Sequence, residues 1–332
     1  MSNLNRFIEN KLKILENQKY TLILGASPSK NARSPILWNK VYKAKDSKVR
    51  MYPADVEKKN IKNLIKYLKK DRLFIGGSVT IPYKVSIMRY LDLIDNKAKK
   101  IGSINTILKI KNKLVGLNTD YHGSLSTLKK FKNKKNILVL GCGGAAKAVV
   151  VSLLERFKKS KFYFYNRNYF KIKKFTKDLN CLKNNQLIKN TSDLLKLKKL
   201  DLIVNTTSVG FNSWMKEKGK LHNLKFFTPI SNLKNIKKIR NKNLSKFSKT
   251  NKDLINLDTK NIKIFFKNNS KSDVFDIIYN PHITKLMKFA NSNRNNINNG
   301  LEMNLIQAVK AFMIVNNTNK HNFIKRKMAS HG

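Results

Sequence analysis

Residues 137–146 read ILVLGCGGAA, and no other segment constrains the fold as tightly. A strand-sized apolar run stops at Gly141, passes through glycines and opens an Ala/Val/Leu helix that reaches Phe157. Gly141 permits a tight turn, Gly143 lets a ligand approach the backbone, and the small Ala146 allows close helix–strand packing. The helix N-terminus adds unpaired N–H groups and the positive end of its dipole, which together suit a pyrophosphate. Glycine triplets alone are weak signals, because they also arise wherever a turn is sterically tight. A second strand, KFYFYN at 161–166, follows at the spacing of a strand–helix–strand unit, and this layout points to a dinucleotide site. An NAD site would carry Asp or Glu about 20 residues beyond the glycines. Here the strand ends in Asn166-Arg167, with Lys171 four residues on, so cations stand where a 2′-phosphate would sit. Cys142 is most simply a small packing residue.

Strands and helices alternate along the chain, which predicts an α/β protein with a parallel or mixed sheet. TLILG (21–25) reads as a strand and Ser34-Pro35 as a helix start. VRMY (49–52) reads as a second strand, followed by a helix with Ile61, Leu64, Ile65 and Leu68 on one face. LFIGGSVT (73–80) is a buried strand whose end carries Thr80 and, after Pro82, Lys84. In the second half, LDLIVNTT (200–207) and DVFDIIY (273–279) are expected to join the strands at 137–141 and 161–166. Between them, 212–272 is rich in Lys and Asn, and 231–260 is expected to be an enlarged, mobile surface excursion. The N-terminal twenty residues read as a short amphipathic helix, 300–314 as an apolar helix, and the residues beyond 314 as a frayed polar tail.

The chain has 332 residues, enough for two domains, and 41% hydrophobic residues, as in globular proteins. No apolar run is long enough to span a membrane, and the N-terminus lacks the apolar core and cleavage site of a secretory signal. Two cysteines, Cys142 and Cys181, make neither a disulfide framework nor a metal-ligand spacing, so no metal is expected and a reducing compartment, the cytoplasm, is. Seventy Lys+Arg against 19 Asp+Glu give a net charge of +51, which raises the possibility of a nucleic-acid partner. The lysines are spread over the whole chain among asparagines and isoleucines, not gathered on one element. That spread fits a bias acting on every solvated position, and no specific nucleic-acid partner is expected.

Eight short motifs then occur in one order: GGSVTIPYK (76–84), GSINTI (102–107), GLNTDYHG (116–123), GCGGAA (141–146), NRNYFK (166–171), NTTSVG (205–210), DIIYNPHITKL (276–286) and NGLEMNLIQAVKAF (299–312). The series resembles the shikimate dehydrogenase family and covers residues 22 to 312. The resemblance implies an N-terminal α/β substrate domain (1–120 with 299–332, the C-terminal helix returning to it) and a Rossmann NADP-binding domain (121–298, with the Lys/Asn-rich insertion near 212–272). The two would flank a cleft. Lys84 matches the catalytic lysine and Asp120 its partner. On residue type alone, Lys84 would be one solvated lysine among many and Asp120 an ordinary helix N-cap. Ser34, Thr80, Asn105, Tyr279 and Gln307 match substrate-binding positions. The NADP(H) positions would be Gly141, Gly143, Gly144, Ala145, Asn166, Arg167, Lys171, Thr207, Gly300 and Met303, the last equally readable as a core methionine. Hydride would add to a ring ketone and the new alkoxide would take a proton from a nearby acid.

Several positions depart from the family pattern. Ala32 stands where a serine is usual, Asn31 where a histidine is, and the stretch 25–35 is one residue longer. Ser78 replaces an asparagine, Asn168 a threonine and Lys171 an arginine. Losing the hydroxyl at Ala32 would cost on the order of 1–3 kcal/mol unless Ser29, Asn31 or Arg33 substitutes. The leading expectation is NADPH-dependent reduction of 3-dehydroshikimate to shikimate by a monomer or homodimer without a membrane partner. A related ring acid such as quinate is the alternative. A basic nucleic-acid-associated protein on a retained dehydrogenase fold is the third, and the intact Lys84, Asp120, Thr80 and Asn105 set argues against it.

Overall fold

The computed structural model describes residues 3–181, 185–217, 219–231, 233 and 235–330. The chain divides into two compact units, Met1–Ser126 with Met303–Gly332, and Thr127–Glu302. It leaves the first within the helix Asp120–Leu128 and returns within the helix Leu301–Val315.

The first unit is built on a mixed sheet of six strands: β1 (Tyr20–Gly25), β2 (Arg50–Asp55), β3 (Phe74–Val79), β4 (Leu93–Ile94), β5 (Thr106–Ile110) and β6 (Lys113–Leu117), in the order β2-β1-β3-β5-β6-β4. Parallel pairing of β1 with β2 and β3 puts it in the interior, and all six of its residues are buried. A continuous apolar run such as YTLILG is what a strand covered on both faces requires. Alternation sends Leu22 and Leu24 to one face, with Leu64, Ile65, Leu68 and Phe74. Ile23 goes to the other face, with Trp38, Tyr42, Phe312, Ile324 and Met328. The four apolar positions of the helix Ile61–Lys70 are all buried, as their spacing predicts.

The second unit holds six strands that pair only in parallel: β7 (Asn136–Leu140), β8 (Lys161–Tyr165), β9 (Gln186–Ile188), β10 (Leu202–Asn205), β13 (Asp273–Asp276) and β14 (Ile297–Asn298), in the order β14-β13-β10-β7-β8-β9. β11 (Trp214–Glu217) and β12 (Lys220–Asn223) form a separate hairpin. Counted from β7, the six strands run 3-2-1-4-5-6, the doubly wound dinucleotide-binding order. The order reverses between β7 and β10, so the loops after these two strands mark the crevice where ligands of such sheets bind.

Three expectations are corrected. The N-terminal residues form a single helical turn at Asn3–Arg6 and no longer helix. The Asn5 side chain bonds both backbone groups of Leu12, which holds the following chain as a loop, while Leu4 and Ile8 are buried. The segment after 315 is not frayed: the helix His321–Ala329 buries Ile324 and Met328 against the helix Ser34–Ala44. The stretch 231–260 is not a mobile excursion. Leu233, Ile239 and Phe247 pack with Val209, Leu224 and Phe227, and residues 252–260 open the seventeen-residue helix Lys252–Asn268. Its buried positions include Asp258, Ile262, Phe265 and Phe266. An aspartate in the middle of an otherwise apolar stripe is what hid the helical period from the sequence.

Candidate active site

In the first unit the turn after β3 brings Lys84 to the start of the helix Asp120–Leu128. Tyr83 anchors that turn through its hydroxyl, which donates to the Val56 carbonyl at 2.6 Å, and the Lys84 carbonyl accepts from Ile104 N at 2.8 Å. Lys84 Nζ then lies 2.5 Å from Asp120 Oδ2, with the two side chains only 15% and 7% exposed. Asp120 is not the N-cap that its local sequence suggests. Asn118 Oδ1 accepts from Tyr121 N at 3.2 Å, and the Asp120 carboxylate is spent on Lys84 and on Asn105, whose Nδ2 donates to Oδ1 at 2.9 Å.

Asn105, just before β5, is the hub of this cluster. Its Nδ2 also lies 3.0 Å from Gln307 Oε1 and 2.9 Å from Thr119 Oγ1, so that two N–H groups are shared among three acceptors, and its Oδ1 accepts from Thr119 N at 2.7 Å. The backbone donor from Thr119 fixes which way the amide points. Lys84, Asp120, Asn105 and Gln307 are therefore brought together, and Thr119, inside GLNTDYHG, joins them as a fifth member that no motif marks. Ser34, buried at the start of its helix, and Thr80, half-buried after β3, lie outside this bonded set. An ammonium held on a carboxylate and shielded from water is a positioned proton donor. Near the altered first loop, Ser29 donates from N (2.9 Å) and Oγ (2.5 Å) to the Asp55 carboxylate, so its hydroxyl is occupied. Arg33 Nη1 donates to Asn304 Oδ1 at 3.1 Å.

In the second unit Gly141 has φ +107°, a conformation that L side chains rarely adopt, and so makes the turn out of β7. Gly143 is the exposed N-cap of the helix Gly144–Arg156, with Gly144 and Ala145 in the partly exposed first turn and Ala146 buried against the sheet. No atom lies within 4 Å of a Cβ built on Gly143, so the loop leaves open space beside its backbone. Asn166 Nδ2 donates to Asn168 O at 3.0 Å, and Asn168 caps the helix Tyr169–Asp178 by accepting from Lys171 N at 3.0 Å. Arg167 and Lys171 are exposed. Burial pushes the Cys142 thiol up in pKa, while the Lys171 charge opposes that shift. Burial therefore keeps Cys142 a thiol and not a reactive thiolate.

Thr207 follows β10, and Gly300 sits where a Cβ would fall 1.8 Å from the Ile277 carbonyl, a closeness only glycine permits. Tyr279 meets Phe211 edge-on with ring centroids 5.8 Å apart. Met303 belongs to the first unit and is buried, and a Cβ on Gly123 would lie 2.3 Å from its carbonyl. Among the described residues no group of three His, Cys, Asp or Glu could hold a metal ion. Nor is any helix among them long and apolar enough to cross a membrane.

Comparison with known proteins bears on the same chemistry. Residues 24–107 match the family model described as the shikimate dehydrogenase substrate binding domain. The shikimate dehydrogenase (NADP+) of Clostridium beijerinckii is 34% identical over 260 residues, 77% of each chain. That of Methanococcus aeolicus is 31% identical over 300 residues, 89% of this chain and 91% of its own. A crystal structure of a shikimate dehydrogenase in complex with NADP+ superposes with a TM-score of 0.67 at 26% identity, covering 95% of this chain and 96% of that one. With the two relatives aligned over three-quarters or more of its length, and with a buried Lys–Asp pair in one unit and a glycine-turn doubly wound sheet in the other, this chain belongs to the shikimate dehydrogenase family.

Proposed function

We infer that this protein reduces 3-dehydroshikimate to shikimate with NADPH, a step toward chorismate and the aromatic amino acids. The observation that carries the reading is the 2.5 Å Lys84–Asp120 pair, buried within the Asn105–Gln307 network of a chain of this family. Lys84 is assigned as the donor of the proton taken up by the alkoxide, and Asp120 as the group that holds its ammonium in place. Asn105, Gln307, Ser34, Thr80 and Tyr279 are assigned to the hydroxyls and carboxylate of the ring acid. Each offers a hydrogen-bonding group, and the Asn105 amide is already oriented.

The residues of the second unit fit NADP(H). Gly141, Gly143, Gly144 and Ala145 supply a turn, open space and a helix N-terminus for the pyrophosphate. Arg167 and Lys171 are exposed at the end of β8, where an NAD site would carry an acid. Asn166, Thr207, Gly300 and Met303 complete the assignment. When bound, NADPH supplies the hydride. A small-molecule ring acid is the partner this chemistry calls for, and the cytoplasm is its proposed location.

Steady-state rates with shikimate and quinate, each with NADP+ and NAD+, test the reading. The expected result is the highest kcat/KM for shikimate with NADP+. Faster turnover of quinate, or equal use of both cofactors, would overturn the assignment of substrate or cofactor.

A further inference from the structure

β13 ends in Asp276, a carboxylate with no accessible surface that the reaction assigned above does not use. Its Oδ1 accepts from Asn205 Nδ2 at 2.9 Å and from Ile278 N at 3.0 Å, and its Oδ2 accepts from Thr284 Oγ1 at 2.8 Å. Asn205, equally buried, is the last residue of the neighbouring strand β10. An accepting oxygen admits only the NH2 end of the Asn205 amide, so the Asn205 Oδ1 must face the other way. It receives Thr207 N at 2.9 Å and Thr207 Oγ1 at 2.8 Å, while Thr207 Oγ1 in turn accepts from Val209 N at 3.0 Å.

The turn built in this way lies directly on the glycine turn. Thr206 Oγ1 donates to the Leu140 carbonyl at 2.7 Å. A Cβ on Gly141 would come within 2.7 Å of Thr206 Oγ1 and 2.8 Å of Thr207 Cγ2. An unbroken chain of bonds and contacts thus runs from Asp276 through Asn205 and Thr207 to Gly141, at the point where the strand order reverses.

We propose that Asp276 is a positioning residue for cofactor binding, acting through the Asn205 amide to set the 205–209 turn against the glycine turn. The proposal rests on the reading of residues 141–146 as the NADP(H) site. A carboxylate that served only to join β13 to β10 would support folding and leave the binding of NADPH to the folded protein unchanged. One that sets the turn governs cofactor affinity in particular, because displacement of a pre-organised backbone by a few tenths of an ångström weakens every contact it makes with the phosphates.

The experiment measures NADPH affinity by fluorescence titration, together with KM for NADP+, KM for shikimate and kcat, in Asp276→Leu and Asp276→Asn, each well below its Tm. Asp276→Leu removes the acceptor and keeps the branched outline of the side chain, and is expected to raise the NADPH Kd and the KM for NADP+ about tenfold or more. The KM for shikimate, and kcat at saturating cofactor, should stay within about twofold. Asp276→Asn keeps the Oδ1 acceptor and reverses only the Thr284 bond, so it should restore most of the affinity. A folded Asp276→Leu that binds NADPH as tightly as the wild type overturns the proposal. So does Asp276→Asn that loses as much affinity as Asp276→Leu. If Asp276→Leu does not fold, Asp276→Ser takes its place, since its side chain is one bond shorter and leaves Asn205 without its acceptor. Failure of the wild type itself to bind NADPH would overturn the cofactor assignment instead, which keeps the two readings separable.

Discussion

Burial raises the pKa of the Asp276 carboxyl to about 7, against three hydrogen bonds that favour its charged form. Between pH ~4 and ~7 the native state therefore keeps a proton that the unfolded chain releases. In that window each unit of rising pH lowers stability by roughly 1.4 kcal/mol on account of this group, and above about 7 the loss is complete. The wild-type urea midpoint should fall from pH 5 to pH 7 relative to that of Asp276→Asn, which has nothing to titrate there. Parallel midpoints for the two proteins would refute this. At the active site, Lys84→Ala should lower kcat by roughly 10²–10⁴ and leave the NADPH Kd nearly unchanged. Asp120→Asn should lower kcat too, and the double variant should be little worse than Lys84→Ala alone, because residues that act as a unit are not additive. Simple additivity would mean that Asp120 binds substrate independently of the lysine. Arg167→Asp should weaken NADP(H) binding far more than NAD(H) binding, which titration with both cofactors checks. Lys84 and Asp120 were legible only through motif order, since a lysine in so lysine-rich a chain says nothing by itself. Thr119 and Asp276 were not legible as participants, because both act through an asparagine that only the fold brings to them.

Among the elements, those with uninterrupted periodicity were readable and those whose buried face carries a polar residue were not. The helix Ile61–Lys70 shows four apolar positions in sequence and buries all four. The helix Lys252–Asn268 buries Asp258 in its stripe, where it receives Thr228 N, Thr228 Oγ1 (2.6 Å), Ser231 Oγ and Lys285 Nζ (2.7 Å). Partners thirty residues away in sequence cannot be inferred from composition, so the segment looked like surface. β9, three residues long, was missed because so short a strand carries no usable pattern. Asp258→Ala should destabilise the protein by about 3 kcal/mol, since it leaves the largely buried Lys285 ammonium without its carboxylate. Removal of residues 231–260 should abolish cooperative unfolding of the second unit, because it takes out Phe247 and the start of that helix together. A trimmed chain with a normal urea transition would show that the segment is peripheral after all.

For the molecule as a whole, the doubly wound half of the fold followed from one strand–glycine–helix segment. For the other half the alternation left a parallel or a mixed sheet open, and antiparallel pairing of β3 with β5 and of β5 with β6 decides for the mixed one. The net charge of +51 is the property that composition states most loudly and the fold uses least. Diffuse lysines should give weak binding to DNA that falls steeply with added salt and shows no sequence preference. Tight, sequence-selective binding at physiological salt would contradict this. No lysine or arginine among the described residues is as fully enclosed as Asp55, Asp120, Asp258, Asp273 and Asp276, and even Lys84 and Lys285 keep part of their side chains exposed. Acidic side chains are thus scarce here and disproportionately interior. Drift toward lysine can proceed almost anywhere on this exterior at little cost, while each of those five aspartates receives donors that no basic residue could satisfy. The five enclosed aspartates thus act as fixed anchors in an otherwise basic molecule: wherever one lies, the surrounding donors are committed to it, and at Asp120 that commitment is the pair with Lys84.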